Sequence, residues 1–429
     1  MSFRSQAPQT KAFKPYAIPS FLLNQSVQGT PYFHHKTKDI GAVKIEILFP
    51  FGRQQQTHAF QALAATELLL SGADGKSERE VFSEIEHLGA SVNNECHSLY
   101  SSIQIRCSKS AAVEVFKWVT HHLLKSDYPE IELDRYIAIK VASLQRKMQT
   151  ASYWSDKVAR QHYYESLSWE NANTTTEDLE ALNRNTLIEF HEKHYKSPSA
   201  ALFFSGDIDE ESVQSILNTW ESYSTRPFLW SVPVENLDYS KQYTTTIEHP
   251  IKNSSQLSLK WLKHIGEINE RKQHQLTLLN MVFGGYFGSR MMQELREKQG
   301  LTYGISSFFR PLWKGRSWEV SGEMNSENKD KALNGVKQII QTLQSEKIPE
   351  NELNRAKTYY LGVFRSGFDG PFANANKSIT SLVREYSSEF YKNTLEQILD
   401  VQPDELMRLA QKEMDTNSFI KVVAGKLID

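Results

Sequence analysis

Cysteine is nearly missing from this chain: Cys96 and Cys107 are the two thiols among 429 residues. Two thiols cannot staple a chain of that length, so a disulfide framework is excluded and a reducing compartment, the cytoplasm, is the expected setting. Long apolar runs are also missing. Ile45 to Phe51 and Leu276 to Phe287 are the best stretches, and both fall short of the ~18 apolar residues a membrane-spanning helix requires. The opening residues, MSFRSQAPQTKAFKPYAIPSF, carry basic side chains with no apolar segment behind them, and read as an extended lead-in arm, not a secretory signal. Nor is there an excess of one charge. Forty-nine Lys and Arg face 51 Asp and Glu, a net charge of -2, which removes any global electrostatic ground for nucleic acid or an anionic membrane as partner.

What is present is the composition of a folded globular protein, 39% hydrophobic and 23% charged, with no tract biased enough for extended disorder. The length suits two or three domains. Comparing the two halves reveals matching blocks. YPEIELDR at Tyr128 to Arg135 aligns with IPENELNR at Ile348 to Arg355, and EIEHLGASV around Gly89 aligns with ELREKQGLTY around Gly300. Each half ends in a helix followed by an apolar strand, LIEFHEKHYKSPSAALFFSGDID and LMRLAQKEMDTNSFIKVVAGKLID. A period of about half the chain is far longer than the ~20–50 residues of a solenoid unit, so the pattern predicts a duplicated domain. Residues 1–222 and 244–429 are the expected domains, with 223–243 as the linker, where two prolines interrupt any periodicity.

Within each half the reading is strand, helix, helix, hairpin, helix, long helix, helix, strand. Gly41 to Phe51 is strand-like; Ser77 to Leu88 places Val81, Ile85 and Leu88 at helical spacing behind a Ser77/Glu80 capping box. Ser91 to Cys107 reads as paired strands, Ala111 to Leu124 as a helix, Glu130 to Tyr164 as one long helix, and Ala200 to Ser205 as a return to the sheet. GISSFFRPLWKGRSWEVSGEM reads as a long hairpin turning at Lys314-Gly315. The expected class is α+β: two domains, each an antiparallel-rich sheet with helices on one face and a core of its own.

The chemistry concentrates in GGYFGSRMMQELREKQGLTYGISS, beginning at Gly284, where Arg296 and Tyr303 flank an apparent helix end. With FHEKHYKSPSAALFFSGDID and the repeated element order, this block resembles the insulinase-like (M16) family of zinc metallopeptidases, the group that includes the mitochondrial processing peptidase. The resemblance covers nearly the whole chain. It implies two homologous domains enclosing a chamber, with zinc held by an inverted HxxEH motif and a distal Glu in one domain, and substrate held by an Arg and a Tyr from another.

The departures from that pattern are as informative. The resemblance places HxxEH nine residues before Gly72, where this chain has Leu63, Ala64, Ala65, Thr66 and Glu67. Neither Leu63 nor Thr66 can replace an imidazole or a general base. The helix that should carry the distal carboxylate, RYIAIKVASLQRKMQ from Arg135 to Gln149, has none. Arg296 and Tyr303, in contrast, match the substrate-binding pair; a guanidinium and a phenol supply donors to a peptide carbonyl or an oxyanion. The competing reading makes Arg296 a surface partner of Glu294 or Glu297 and Tyr303 a core aromatic.

Other candidates are weaker. His191 and His194 share a helix face, but HExxH would need histidine where Tyr195 stands. Adjacent Cys96 and His97 point to opposite sheet faces and leave Cys107 no partner set, so these are read as two buried thiols and a surface imidazole. His34-His35 and His121-His122 are read as surface residues. Gly284, Gly285 and Gly288 lack a Walker lysine and serve close helix packing. Trp313 to Trp318, WKGRSW, is read as a hairpin tip that could reach a partner.

The expectation is therefore a non-catalytic, peptide-binding subunit, inactive alone and with no cofactor of its own. A homologous HxxEH subunit would supply zinc, and neither nucleic acid nor membrane is a partner. The alternative is a non-proteolytic scaffold of the same fold.

Overall fold

The computed structural model describes residues 18–38, 40–164, 174–224, 226–230, 241–252, 254–312 and 315–427. Most of the lead-in arm, most of the 223–243 linker, and Trp313 and Lys314, the latter being half of the expected Lys314-Gly315 turn, lie outside the described residues.

The strands are β1 (Asn24–Gln25), β2 (Pro31–Lys36), β3 (Ala42–Phe49), β4 (Gly72–Ala73), β5 (Lys76–Ser77), β6 (Ser91–Cys96), β7 (Ser101–Ser108), β8 (Ala201–Gly206), β9 (Thr246–Pro250), β10 (Leu257–Ile265), β11 (Thr302–Leu312), β12 (Gly315–Met324) and β13 (Ile420–Gly425). The helices of the first half are α1 (Gln61–Glu67), α2 (Glu78–His87), α3 (Ala112–Lys125), α4 (Glu130–Lys147), α5 (Ala151–Tyr163), α6 (Thr176–Glu180), α7 (Arg184–His194) and α8 (Glu210–Tyr223). Those of the second are α9 (Glu270–Asn280), α10 (Lys329–Ser345), α11 (Glu350–Ser366), α12 (Gly370–Arg384), α13 (Phe390–Asp400) and α14 (Pro403–Glu413). The class is mixed helix and sheet. β4 and β5 form a small hairpin of their own, and the remaining strands form two sheets.

The sheets share a plan. The first runs β6-β7-β3-β8-β2-β1 and the second β11-β12-β10-β13-β9. In each, the strand beside the central one pairs in parallel with the next strand out, β8 with β2 and β13 with β9, while the other neighbours are antiparallel. The period-2 alternation of strand side chains then sorts the central strands. Val43, Ile45, Ile47 and Phe49 of β3 join the core under α1, α3, α7 and α8, and Leu257, Leu259 and Trp261 of β10 join the core under α9, α10 and α14.

The opposite faces are covered as well, contrary to the one-face expectation. The segment expected as one helix over Glu130 to Tyr164 breaks at Met148 to Thr150, where the Thr150 side chain accepts a bond from the Tyr153 amide and starts α5 afresh. The break sends α5 across to β10 and β13 of the second sheet, while α12 crosses to β2 and β8 of the first. The halves thus exchange helices, and neither closes both faces of its sheet alone. WKGRSW lies at the end of the β11-β12 hairpin, as expected, with Gly315 opposite Leu312; its last residue, Trp318, is fully buried, with its indole N–H donating to Asn280 and Ser307 in the second core.

Candidate functional site

α1 is a short helix whose residues occupy the positions of the zinc motif in the resemblance. Thr66 is fully buried; its hydroxyl donates to the Ala62 carbonyl at 2.7 Å and lies 2.9 Å from the Tyr195 hydroxyl and 3.4 Å from that of Ser101. A residue tied this way into the core is not free to activate water. Leu63 is half-buried and offers hydrocarbon. Glu67 faces outward, and its carboxylate receives the Lys140 ammonium from α4 at 2.6 Å, with that ammonium 5.0 Å from the Tyr136 ring. A lysine therefore stands on the helix expected to present a carboxylate. A donor set of hydrocarbon, a committed hydroxyl and an ion-paired carboxylate does not fit zinc. Among the described residues no group of three or more His, Cys, Asp or Glu is arranged to hold a metal.

The remaining imidazoles and thiols have structural settings. His191 Nδ1 is 3.0 Å from the Tyr128 hydroxyl, and burial pushes its pKa down to about 4. His194 packs on Phe190 and Phe51, with ring centres 4.4 and 4.8 Å away, and burial likewise lowers it to about 4. The two rings of the i, i+3 pair thus serve different neighbours. His34 and His35 are not surface residues: His34 bonds Glu210 and the Ile208 carbonyl, and His35 stacks on Phe33 and meets Asn374 of α12. His121 is exposed and bonds Asp74, but His122 is buried and stacked on Trp118 at 3.8 Å. Cys96 and Cys107 are free and sit at opposite ends of the β6-β7 ladder. Burial raises both thiol pKa values, that of Cys107 to about 11, so neither is a thiolate at neutral pH.

The Arg296/Tyr303 block is built by close packing. After α9 the chain widens into a π-helical turn, Met281–Gly285, and a second one, Met292–Lys298, ends at Gly300 in the left-handed region. Gly284 is required: a Cβ there would meet the Met291 methyl at 2.0 Å and the Ser307 backbone nitrogen at 2.9 Å, so any side chain would push the turn off β11. At the start of β11 the ladder slips, with Thr302 opposite Met324 but Gly304 opposite Glu323. Tyr303 is the extra residue of that bulge. A bulge re-aims its side chain, and Tyr303 is 80% exposed instead of joining the core.

Tyr303 lines a cavity of about 560 Å³ with Ser155 and Asp156 of α5, Ser258 and Lys260 of β10, and Glu323 of β12. Ser152, Ser155 and Asp156 of α5, from the other half, form one wall of it. Arg296 is not among the lining residues. Its guanidinium lies over the Phe287 ring at 5.1 Å with Nε 3.6 Å from Glu297, while Glu294 is taken by Lys298 at 2.6 Å. Phe287 thus holds Arg296 by its face, leaving the fork edge to other partners.

Lys260 and Asp156 escaped the sequence reading. Lys260 bonds Glu319 at 2.6 Å and Asp156 at 2.9 Å; Glu319 also receives Arg310 at 3.0 Å, Ser317 at 2.6 Å and Arg160 at 3.3 Å. Burial opposes ionisation of Glu319, but Lys260, Arg160 and Arg310 outweigh it and hold the carboxyl below its ordinary range. The signal was the pair of lysines, Lys260 and Lys263, in the largely apolar LSLKWLKHI, but only α5 reveals what Lys260 meets.

Comparison with known proteins agrees with this geometry. Residues 181–360, from the start of α7 into α11, match the family described as Peptidase M16 inactive domain. An uncharacterized zinc protease of Rickettsia bellii is 20% identical over 79% of this chain and 82% of its own. The Non-peptidase homolog YmxG of Helicobacter pylori is 22% identical over 70% of this chain and 67% of its own. The crystal structure of a peptidase M16 inactive domain from Pseudomonas fluorescens superposes with a TM-score of 0.84 at 18% identity, covering 95% of this chain and 98% of that one. With Leu63, Thr66 and Glu67 at the positions of the zinc motif in the resemblance, residues 181–360 match the M16 inactive-domain family and the chain as a whole is similar to M16 zinc proteases and their non-peptidase homologues.

Proposed function

We propose that this chain is the substrate-binding, non-catalytic subunit of a heterodimeric zinc peptidase, working with a homologous subunit that carries HxxEH and the zinc. The observation that carries the reading is the bulge that turns Tyr303 outward, seven residues after Arg296, while the zinc-motif positions are closed by Thr66 bonding and the Glu67–Lys140 pair. A pure scaffold has no use for an exposed phenol aimed by a backbone irregularity. In this role Arg296 and Tyr303 donate to the backbone of an extended peptide and to the oxyanion that forms when the partner's zinc-bound water attacks. The shared strand order further supports a duplicated domain divided near 223–243.

The test is peptidase activity and zinc content of this chain alone and mixed with an HxxEH homologue. Activity and metal in the mixture, with neither in this chain alone, is the expected result; no association and no activity in the mixture would transfer the reading to a non-proteolytic scaffold. That second reading is favoured by the relative named a non-peptidase homolog.

A further inference from the structure

A second cavity, of about 350 Å³, lies where the outer strands of both sheets end, β6 at Cys96 and β11 at Leu312, with the last turn of α12 closing it. Its lining includes Arg53, Arg310, Arg384, His97 and Tyr100. The sequence brings these residues together by a close backbone approach. Gly52 admits it, since a Cβ there would sit 2.3 Å from the His97 carbonyl oxygen, and the amides of Arg53 and Gln54 bond the His97 and Ser98 carbonyls at 2.9 and 3.0 Å. Arg53 is thereby fixed against the β6-β7 turn.

Two of the three guanidiniums there have no paired acid among the described residues. Arg310 is held by Glu319. Among the described residues, however, neither Arg53 nor Arg384 has a carboxylate within ion-pair distance. Arg53 donates one bond, at 2.7 Å, to Ser98, and its Nε is buried without a partner. Arg384 donates one bond, to the Leu312 carbonyl. The nearest acid on β6, Glu95, is engaged by His97 at 3.2 Å and Asn93 at 2.8 Å. Tyr100 is stacked on His97, and burial raises its phenol pKa to about 12, so it remains a neutral donor. A structural role at the helix C-terminus accounts for one bond of Arg384 and for none of the spare donors of Arg53. Two guanidiniums and a phenol converging on a cavity make a site for a small oxyanion, and a carboxylate matches the planar fork.

We propose that this cavity is a carboxylate subsite for an extended peptide lying along the free edge of β6, with Arg53 and Arg384 taking the carboxylate and Tyr100 adding a hydrogen bond. The inference rests on the peptide-binding reading and deepens it by naming the substrate class: peptides with an acidic side chain or a C-terminal carboxylate at the position that reaches Cys96. Edge-strand pairing supplies affinity without sequence preference, and the arginines supply the selection.

The experiment is fluorescence anisotropy with the full chain and three labelled versions of one β-forming hexapeptide: free C-terminus with Gln inside, amidated with Glu inside, and amidated with Gln inside. At least one carboxylate-bearing peptide should bind about tenfold more tightly than the neutral one, as for a charge-assisted pair, and which one does so identifies the source of the carboxylate. Arg53→Gln and Arg384→Gln should each remove that preference while leaving the neutral peptide's affinity unchanged. Should Arg384→Gln fail to fold, Arg53→Gln decides alone, since its backbone bonds are unaffected by the side chain. Equal affinity for all three peptides, no binding of any, or equal weakening of all by the variants overturns the subsite. Activity of the HxxEH mixture is measured separately: an active mixture without carboxylate preference removes only the subsite, and carboxylate preference with an inactive mixture removes only the peptidase role.

Discussion

The two exchanged helices do the same job by different means. α12 lies on the first sheet through apolar and aromatic contacts, Ala375, Ile379 and Val383 against Phe21, Phe33 and Phe203, with Lys44 bonding Asn376 at 2.7 Å. α5 lies on the second sheet over a smaller apolar cluster and a charged network, in which Asp156 and Arg160 of the helix meet Lys260 and Glu319 of the sheet. Each central strand presents a buried lysine, Lys44 or Lys260, to the visiting helix. One lysine meets a neutral amide from the helix, the other a carboxylate. The difference teaches that α12 is docked chiefly by the hydrophobic effect and α5 by a network whose members depend on one another. Tyr303 borders the second kind, because Asp156 and Lys260 of that network line its cavity.

The largest effect should come from removing the network's hub. Glu319, with no exposed surface, balances Lys260, Arg160 and Arg310. Glu319→Ala leaves three cations without it and should cost about 3–5 kcal/mol in urea unfolding; a loss below 1 kcal/mol would mean that water enters and the network is ornamental. The pH dependence has a definite sign. The folded pKa of Glu319 lies below its ordinary value of 4.5, so its contribution is complete above that value and declines as pH falls through the depressed folded value. Thermal melts of the wild type should weaken in that acid range, and Glu319→Gln should flatten part of the slope.

Ile379→Ala, on α12, sharpens the contrast from the other side. It removes buried hydrocarbon and should cost about 2–4 kcal/mol, with the same loss at low and neutral pH. A strongly pH-dependent loss would erase the distinction between the two helices.

For function, Arg296→Ala in an active mixture should lower turnover by on the order of 10²-fold with little change in the melting temperature, as for loss of an oxyanion donor. Unchanged turnover would remove Arg296 from the mechanism. Rebuilding the motif tests the first half in turn. The triple variant Leu63→His, Thr66→Glu, Glu67→His should bind zinc well below one equivalent, since α4 still lacks a carboxylate from Arg135 onward, and should lose about 1–3 kcal/mol because the Thr66 hydroxyl bonds are gone. One tightly held equivalent of zinc would show that α4 is dispensable for metal.

The smallest effect belongs to Lys140→Gln. Its pair with Glu67 is partly exposed, so the change should cost about 0.2–1 kcal/mol. A larger loss would make that pair a structural substitute for the metal.

Much of this was legible along the chain. The strands at Ala42–Phe49, Ser91–Cys96 and Ser101–Ser108, the Ser77-capped helix and the long hairpin follow from alternation, helical spacing and capping chemistry, all local properties. So did the closure of the zinc motif, because Leu63 and Thr66 exclude ligation whatever surrounds them. Arg296 and Tyr303 were singled out by the resemblance of their block. The sequence could not show that a one-residue bulge turns Tyr303 outward, since register is set by strand pairing and not by the residue itself.

The exchange of α5 and α12 was likewise out of reach. A break of three residues at Met148 to Thr150 leaves the helical pattern almost intact, and which sheet the freed helix covers depends on the shape and charge of a surface far away in sequence. Local propensity determined which segments are helices and strands, and residue identity alone left α1 without the HxxEH imidazoles. Tertiary packing decided where Lys260, Arg53 and Arg384 end up, because a charged side chain acquires its role from what the fold places opposite it.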